Sequence, residues 1–72
     1  MFALRVVFKP YTSCDWATEK LLDLGLKAPQ IDKEVFNILN PVLNVYVDKQ
    51  DRLRYSRAIR RISPQIVSVS WA

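Results

Sequence analysis

Histidine is absent from this 72-residue chain, and cysteine and glycine occur only once each. Without an imidazole, zinc sites of mixed Cys/His type and all mechanisms that use a histidine base are excluded. One cysteine cannot form an internal disulfide, and one glycine cannot build a Gly-rich phosphate loop. No stretch resembles a signal peptide or reaches the roughly 20 apolar residues of a membrane span. We therefore expect a cytoplasmic protein, of a cell or of a virus-infected host, with no cofactor, no metal and no membrane partner.

The composition is that of a compact globular domain. Half of the residues are hydrophobic and 25% are charged, so the chain has enough apolar surface to fold. Its length allows one domain at most. We expect residues 1–72 to form a single small α+β domain.

The net charge of +4 is concentrated in one segment. Residues 1–48 carry five basic and six acidic side chains, whereas residues 49–72 carry six basic side chains against Asp51 alone. Five of those six are arginine, which forms two-pronged hydrogen bonds with phosphate and carboxylate groups. The basic residues of the segment are Lys49, Arg52, Arg54, Arg57, Arg60 and Arg61.

The first 25 residues predict a strand followed by a helix. Apolar residues alternate through 2–9, which indicates a strand with one buried face, and Pro10 ends it. Thr12 and Ser13 are candidate helix caps, with Asp15 completing a capping box from Thr12. Gly25 is placed to end the helix in the left-handed conformation.

Residues 26–48 are open to two interpretations. Asn40-Pro41 lies between two β-rich runs, which favours a hairpin with strands at 34–39 and 42–47. The alternative makes Asp32 a helix cap and residues 33–39 a short helix. A strand at 42–47 is expected in both cases.

The remaining residues predict a second helix and a last strand. In residues 49–62, capped by Asp48, the apolar positions fall on one helical face, opposite most of the basic residues. A rival interpretation places residues 52–55 in a hairpin strand. Ser63-Pro64 ends the helix, and Val67, Val69 and Trp71 alternate with serines as a strand with one buried face.

The predicted order of elements is βαββαβ. Right-handed crossovers put both helices on one face of an antiparallel sheet, which is the ferredoxin-like arrangement. On the opposite sheet face this fold exposes basic, amide and aromatic side chains, which is typical of a surface that contacts nucleic acid. These residues are Arg5, Lys9, Asn44 and Tyr46. The alternative is that this face is only solvated or is covered by a second copy of the chain.

Cys14 follows a predicted strand at the start of a helix. In outline, residues 4–25 resemble the active-site loop of a glutaredoxin, which implies a thiol-dependent redox function. No second cysteine completes a Cys-x-x-Cys pair. The alternative is that Cys14 is a small hydrophobic residue on the helix face that also carries Ala17, Leu21 and Leu24.

The basic second helix carries the main functional hypothesis. No set of residues argues for an enzyme, so we expect a non-catalytic module whose six basic residues contact nucleic-acid phosphates or an acidic protein surface. A phage-type inhibitor or accessory subunit that binds one protein target is the alternative. Because a strand at 34–39 would be an unprotected sheet edge, we also expect a homodimer or a permanent hetero-complex.

Overall fold

A computed structural model describes residues 2–34, 36–61 and 64–71 as an α+β fold with a four-stranded antiparallel sheet and two helices. Single 3₁₀ turns occupy Ala28–Gln30 and Lys49–Asp51. The main elements are β1 (Phe2–Phe8), α1 (Cys14–Asp23), β2 (Ile31–Asp32), β3 (Val42–Val47), α2 (Arg52–Arg61) and β4 (Ile66–Trp71).

The sheet has the strand order β2-β3-β1-β4, so β1 lies in the interior and pairs with a strand on each side. Its register brings Val6 opposite Leu43 of β3 and opposite Val69 of β4. These three side chains are buried. The edges of the sheet are β2, which is two residues long, and β4, which is six.

Both helices contribute to one hydrophobic core on the sheet. Ala17 and Leu21 of α1 and Tyr55 and Ile59 of α2 belong to one buried cluster with residues of the two interior strands. The strand residues are Leu4, Val6 and Phe8 of β1 and Leu43, Val45 and Val47 of β3. The predicted inner faces of β1, β3 and both helices are thus confirmed at these positions. Full burial of one large aliphatic side chain stabilises the fold by about 1.5–3 kcal/mol.

The two ends of α1 follow from local chemistry. The Ser13 hydroxyl accepts a hydrogen bond from Trp16 N at 3.3 Å and caps the helix. The Thr12 hydroxyl donates instead to Lys9 O at 2.7 Å, so the predicted capping box from Thr12 is wrong. Gly25 has a φ of 94° and ends the helix in the predicted left-handed conformation.

The prediction of a strand at 34–39 is wrong. The second strand is Ile31–Asp32, and the Asp32 carboxylate accepts a hydrogen bond from Glu34 N just after it. Asn37 and Asn40 then form an isolated bridge that closes a tight turn. Such side-chain-to-backbone bonds outweigh the β propensity of this run. The alternative helix over 33–39 is not observed in its described residues either, and Val35 lies outside them.

The second helix begins later than predicted. Residues 49–51 form the 3₁₀ turn, and the Asp48 side chain makes no capping hydrogen bond. The rival hairpin strand at 52–55 is wrong, because these residues are helical. The predicted positions Ile62 and Ser63 lie outside the described residues.

The last strand, β4, contains a bulge that changes which of its residues face the core. Phe8 of β1 pairs with Ile66 while Val7 pairs with Ser68, so Val67 is the extra residue of a bulge. Ile66 packs against the core and Val67 is 61% exposed. The predictions that Val67 and Trp71 are buried are therefore wrong, since Trp71 is exposed as well, whereas Val69 is buried as expected.

Candidate anion-binding surface

The exposed side of α2 is opposite its two buried residues. Tyr55 and Ile59 face the core, and at about 100° per residue Arg57 lies diametrically opposite them. We call the exposed set on this side the outer face of α2. It comprises Leu53, Arg54, Arg57 and Arg61, and Arg60 borders it on the side of Leu53.

Arg57 and Arg61 are the two arginines of the outer face that have no partner among the described residues. Both are exposed, and neither forms an ion pair, hydrogen bond or ring contact with any residue that the structure describes. They are four residues apart, which places them about 6 Å apart along the helix axis on adjacent turns. Their guanidinium groups are therefore available to an external anion.

Arg54 is partly neutralised. Its Nη1 lies 4.0 Å from Asp51 Oδ1, and its guanidinium carbon lies 5.0 Å from the centroid of the Tyr55 ring. The Arg54 side chain is 69% exposed, so this ion pair contributes little to stability. Arg54 can contact an anion at the rim of the surface.

Arg52 lies outside the outer face. Its guanidinium carbon is 4.9 Å from the ring centroids of both Phe2 and Trp71, and these rings contact each other edge to face at 6.0 Å. This cation–π contact fastens the start of α2 to β1 and β4. The half-buried Arg52 therefore has a structural partner on each side.

Arg60 also has an internal partner. Its Nη2 donates a hydrogen bond to Val69 O at 3.2 Å, across a surface cavity of about 330 Å³ next to β4. Arg60 and Arg61 both occupy the last turn of α2, where positive charge interacts favourably with the helix dipole. Lys49 is exposed in the 3₁₀ turn at the opposite end of the helix.

The second predicted surface is the sheet face opposite the helices. The register places Arg5 directly between Asn44 of β3 and Ser70 of β4. Asn44 is half-buried, and Arg5 is exposed beside a surface cavity of about 330 Å³. Asp32 pairs with Asn44 and extends this polar row across all four strands. Sequence analysis missed Asp32 and Ser70, because only the register reveals the row.

The other two residues predicted for this face are less closely grouped. Tyr46 is half-buried and pairs with Ala3, two positions along β1 from Arg5. Lys9 is exposed beyond the end of β1, where its backbone N donates to Gln65 O at 2.8 Å. The row is thus not a continuous basic and aromatic platform.

A surface cavity of about 500 Å³ lies at the start of α1, where no sequence pattern predicts one. Tyr11 on its rim is 74% exposed and has a φ of 68°, in the left-handed region that non-glycine residues seldom adopt. Trp16 lines the same cavity, and Lys20 Nζ lies 5.8 Å from the centroid of its ring.

Cys14 is the first residue of α1 and is half-buried. Its Sγ lies 4.0 Å from Thr18 Oγ1. Its helical neighbours on the predicted stripe, Ala17 and Leu21, are buried. This placement fits a small side chain at the margin of the core.

Among the described residues no group of three acidic or cysteine side chains is arranged to hold a metal ion. Neither described helix has the length and apolar character needed to cross a bilayer. The chain matches no protein-family model, and no curated protein or solved structure is significantly similar to it.

Proposed function

We propose that the chain is a non-catalytic binding module with a ferredoxin-like βαββαβ fold, and that the outer face of α2 binds nucleic-acid phosphates. The strand order and the core shared by both helices support the fold assignment. The single observation that supports the function is the exposed pair Arg57 and Arg61, one helical turn apart and without a counter-charge among the described residues.

Phosphate is the anion that this arrangement suits best. A guanidinium group donates two parallel hydrogen bonds to phosphate oxygens and stays charged at all physiological pH values. Arg54 and Lys49 extend the positive potential along the helix on the side of its start. A nucleic-acid backbone presents regularly spaced phosphates to such a row, so the contact depends on charge and little on base sequence.

The direct test is a binding series over salt concentration, with a fluorescent 20-base-pair DNA duplex and a single-stranded RNA as probes. We expect Arg57→Gln/Arg61→Gln to weaken duplex binding by about tenfold or more at low salt. The log–log salt slope should become shallower by about 1.8, since each lost phosphate contact removes about 0.9. Circular dichroism should show an unchanged fold.

Two control variants distinguish binding at the outer face of α2 from an effect of the net charge of the protein. Lys27→Gln/Lys33→Gln removes the same charge from exposed positions outside α2 and should change affinity by less than about threefold. Adding Glu19→Gln/Asp23→Gln to the α2 double variant restores its net charge but should not restore binding. Absence of binding to both probes at low salt, or equal losses from both pairs, would contradict the proposal and favour an acidic protein surface.

A protein target is the second candidate function, and one observation favours it. Leu53 is 59% exposed on the arginine-rich outer face, one helical turn before Arg57. An apolar side chain surrounded by arginines is typical of a protein interface, in which apolar anchors are rimmed by polar groups. An inhibitor or accessory subunit would bind its target saturably in nuclease-treated solution, and Leu53→Ser would weaken that binding while leaving duplex binding nearly unchanged.

A further inference from the structure

The outer edge of β4 is the longest unpaired strand edge in the described structure. β4 is at the end of the sheet over all six of its residues, and its sequence contains no proline and no charged side chain. Val67 on its bulge is 61% exposed and Trp71 is 44% exposed. Natural sheets usually protect such edges with lysine or proline, because an exposed edge pairs readily with another strand.

The backbone of Val69 faces outward from this edge. Phe8 N donates to Pro41 O on the β3 side, so the even-numbered residues of β1 direct their backbone groups toward β3. Val69 pairs with Val6. In an antiparallel pair, the two residues direct their backbone N–H and C=O groups either toward each other or both away from each other. Val69 O accordingly points away from β1 and accepts its hydrogen bond from Arg60.

Arg60 therefore occupies the position that an incoming strand would use. The cavity of about 330 Å³ between α2 and β4 is lined by Arg60 and by residues 66–69. An N–H group of an added strand would replace Arg60 at Val69 O and release the guanidinium. A carboxylate on the same strand would then give Arg60 a charged partner.

We propose that the outer edge of β4 binds an extended, acidic segment of a partner protein, which adds a fifth strand to the sheet and places an Asp or Glu against Arg60. Backbone hydrogen bonds give such strand addition its affinity, and side-chain pockets give it specificity. Leu53 lies seven residues before Arg60 on the same side of α2, about 10 Å away along the helix axis, and offers an exposed apolar contact to such a partner.

Charge complementarity favours this occupant over a second copy of the chain. The β4 segment has no carboxylate to offer Arg60, and two-fold pairing through β4 would bring two arginine-rich helices near each other. An acidic segment satisfies the same edge and lowers the local positive charge. The inference does not depend on phosphate binding, because it is argued from Arg60 and the edge of β4 and not from Arg57 or Arg61.

The experiment titrates defined peptides into the ¹⁵N-labelled chain. The probe is a capped nine-residue peptide in which Thr and Val alternate and the central residue is Glu; one matched peptide has Gln there, and another is N-methylated along its backbone. We expect amide shifts centred on residues 66–71, and about tenfold tighter binding of the Glu peptide than of the Gln peptide, since the bond to Arg60 is charge-assisted. The N-methylated peptide should not bind.

Variants assign the preference to one side chain. Arg60→Gln should bind the Glu and Gln peptides equally, whereas Lys33→Gln, the same charge change near the other sheet edge, should keep the full preference. Arg60→Lys retains the charge without the planar fork and should give an intermediate preference if the glutamine variant folds poorly.

Several results would overturn the proposal. These are an absence of β4 shifts at millimolar peptide, binding that survives backbone methylation, and an unchanged Glu preference in both Arg60 variants. A concentration-dependent dimer in sedimentation equilibrium that Val67→Lys dissociates would assign the edge to a second copy instead.

Discussion

The two helices have equal lengths and similar tasks but very different outer faces. Both α1 and α2 are ten residues long and contribute buried side chains to the same core. The exposed side of α1 mixes acids with a lysine, whereas α2 contains five arginines and no acid. Because α1 packs on the same sheet with three acidic side chains and one lysine, packing alone does not require the arginine excess of α2.

The comparison also separates the arginines of α2 by role. Arg52 contacts two aromatic rings, and Arg60 donates a hydrogen bond to a carbonyl of β4. Both arginines therefore help to hold α2 on the sheet. Arg57 and Arg61 have no such contact in the described part of the chain. The positive charge that has no structural role is therefore confined to fewer residues than the six basic residues that the sequence indicates.

The largest expected effect tests whether the two inner faces are equivalent. Ile59 of α2 and Leu21 of α1 are both fully buried. Replacing either with alanine should lower the free energy of unfolding by about 2–5 kcal/mol, since it removes buried methyl groups and leaves a cavity. Urea denaturation followed by circular dichroism measures both. A loss below about 1 kcal/mol for Ile59→Ala alone would show that α2 is not packed as α1 is.

An intermediate effect is expected for the cations that lie over aromatic rings. Arg52→Met keeps most of the side-chain length but removes the charge between Phe2 and Trp71, and should cost about 1–2 kcal/mol. Lys20→Met, which removes a single and longer contact with Trp16 on α1, should cost no more than about 0.5 kcal/mol. Equal losses in thermal or urea unfolding would remove this distinction between the helices.

The smallest effect concerns how the two helices begin. Ser13 caps α1 through a long hydrogen bond, so Ser13→Ala should lower stability by about 0.5–1 kcal/mol. Asp48 makes no side-chain cap bond before the 3₁₀ turn that leads into α2, and Asp48→Ala should stay within about 0.5 kcal/mol of the parent chain. A larger loss at Asp48 than at Ser13 would contradict this ranking.

Periodicity was sufficient to predict most elements of the fold. The alternation of β1 and β3 and the apolar faces of both helices are properties of neighbouring residues, and the structure confirms them. The errors lie where short-range polar bonds compete with propensity. Asp32 and Asn37 bond to nearby backbone N–H groups and convert a β-branched run into turns.

The candidate site was predictable as a charged segment but not as a surface. The partners that occupy Arg52 lie about 50 residues before it and 19 residues after it in the sequence, and the acceptor for Arg60 depends on a strand register shifted by a bulge. No local pattern contains this information. The tertiary structure was therefore required to distinguish the arginines that have internal partners from those that can bind an external anion.

The interior position of β1 has a consequence for how the chain folds during synthesis. β1 is made first, yet both strands that pair with it, β3 and β4, lie at residue 42 or beyond. At about 5–20 residues per second, a ribosome needs on the order of 2–7 s to reach β3 after finishing β1. During that delay, of the described residues that belong to the core, only those of α1 and of the segment before β3, such as Leu26 and Ile31, can cover the apolar face of β1. The nascent chain is thus most exposed to chaperones and to aggregation before the sheet begins to form, and a slow, late sheet-forming step should dominate its refolding kinetics.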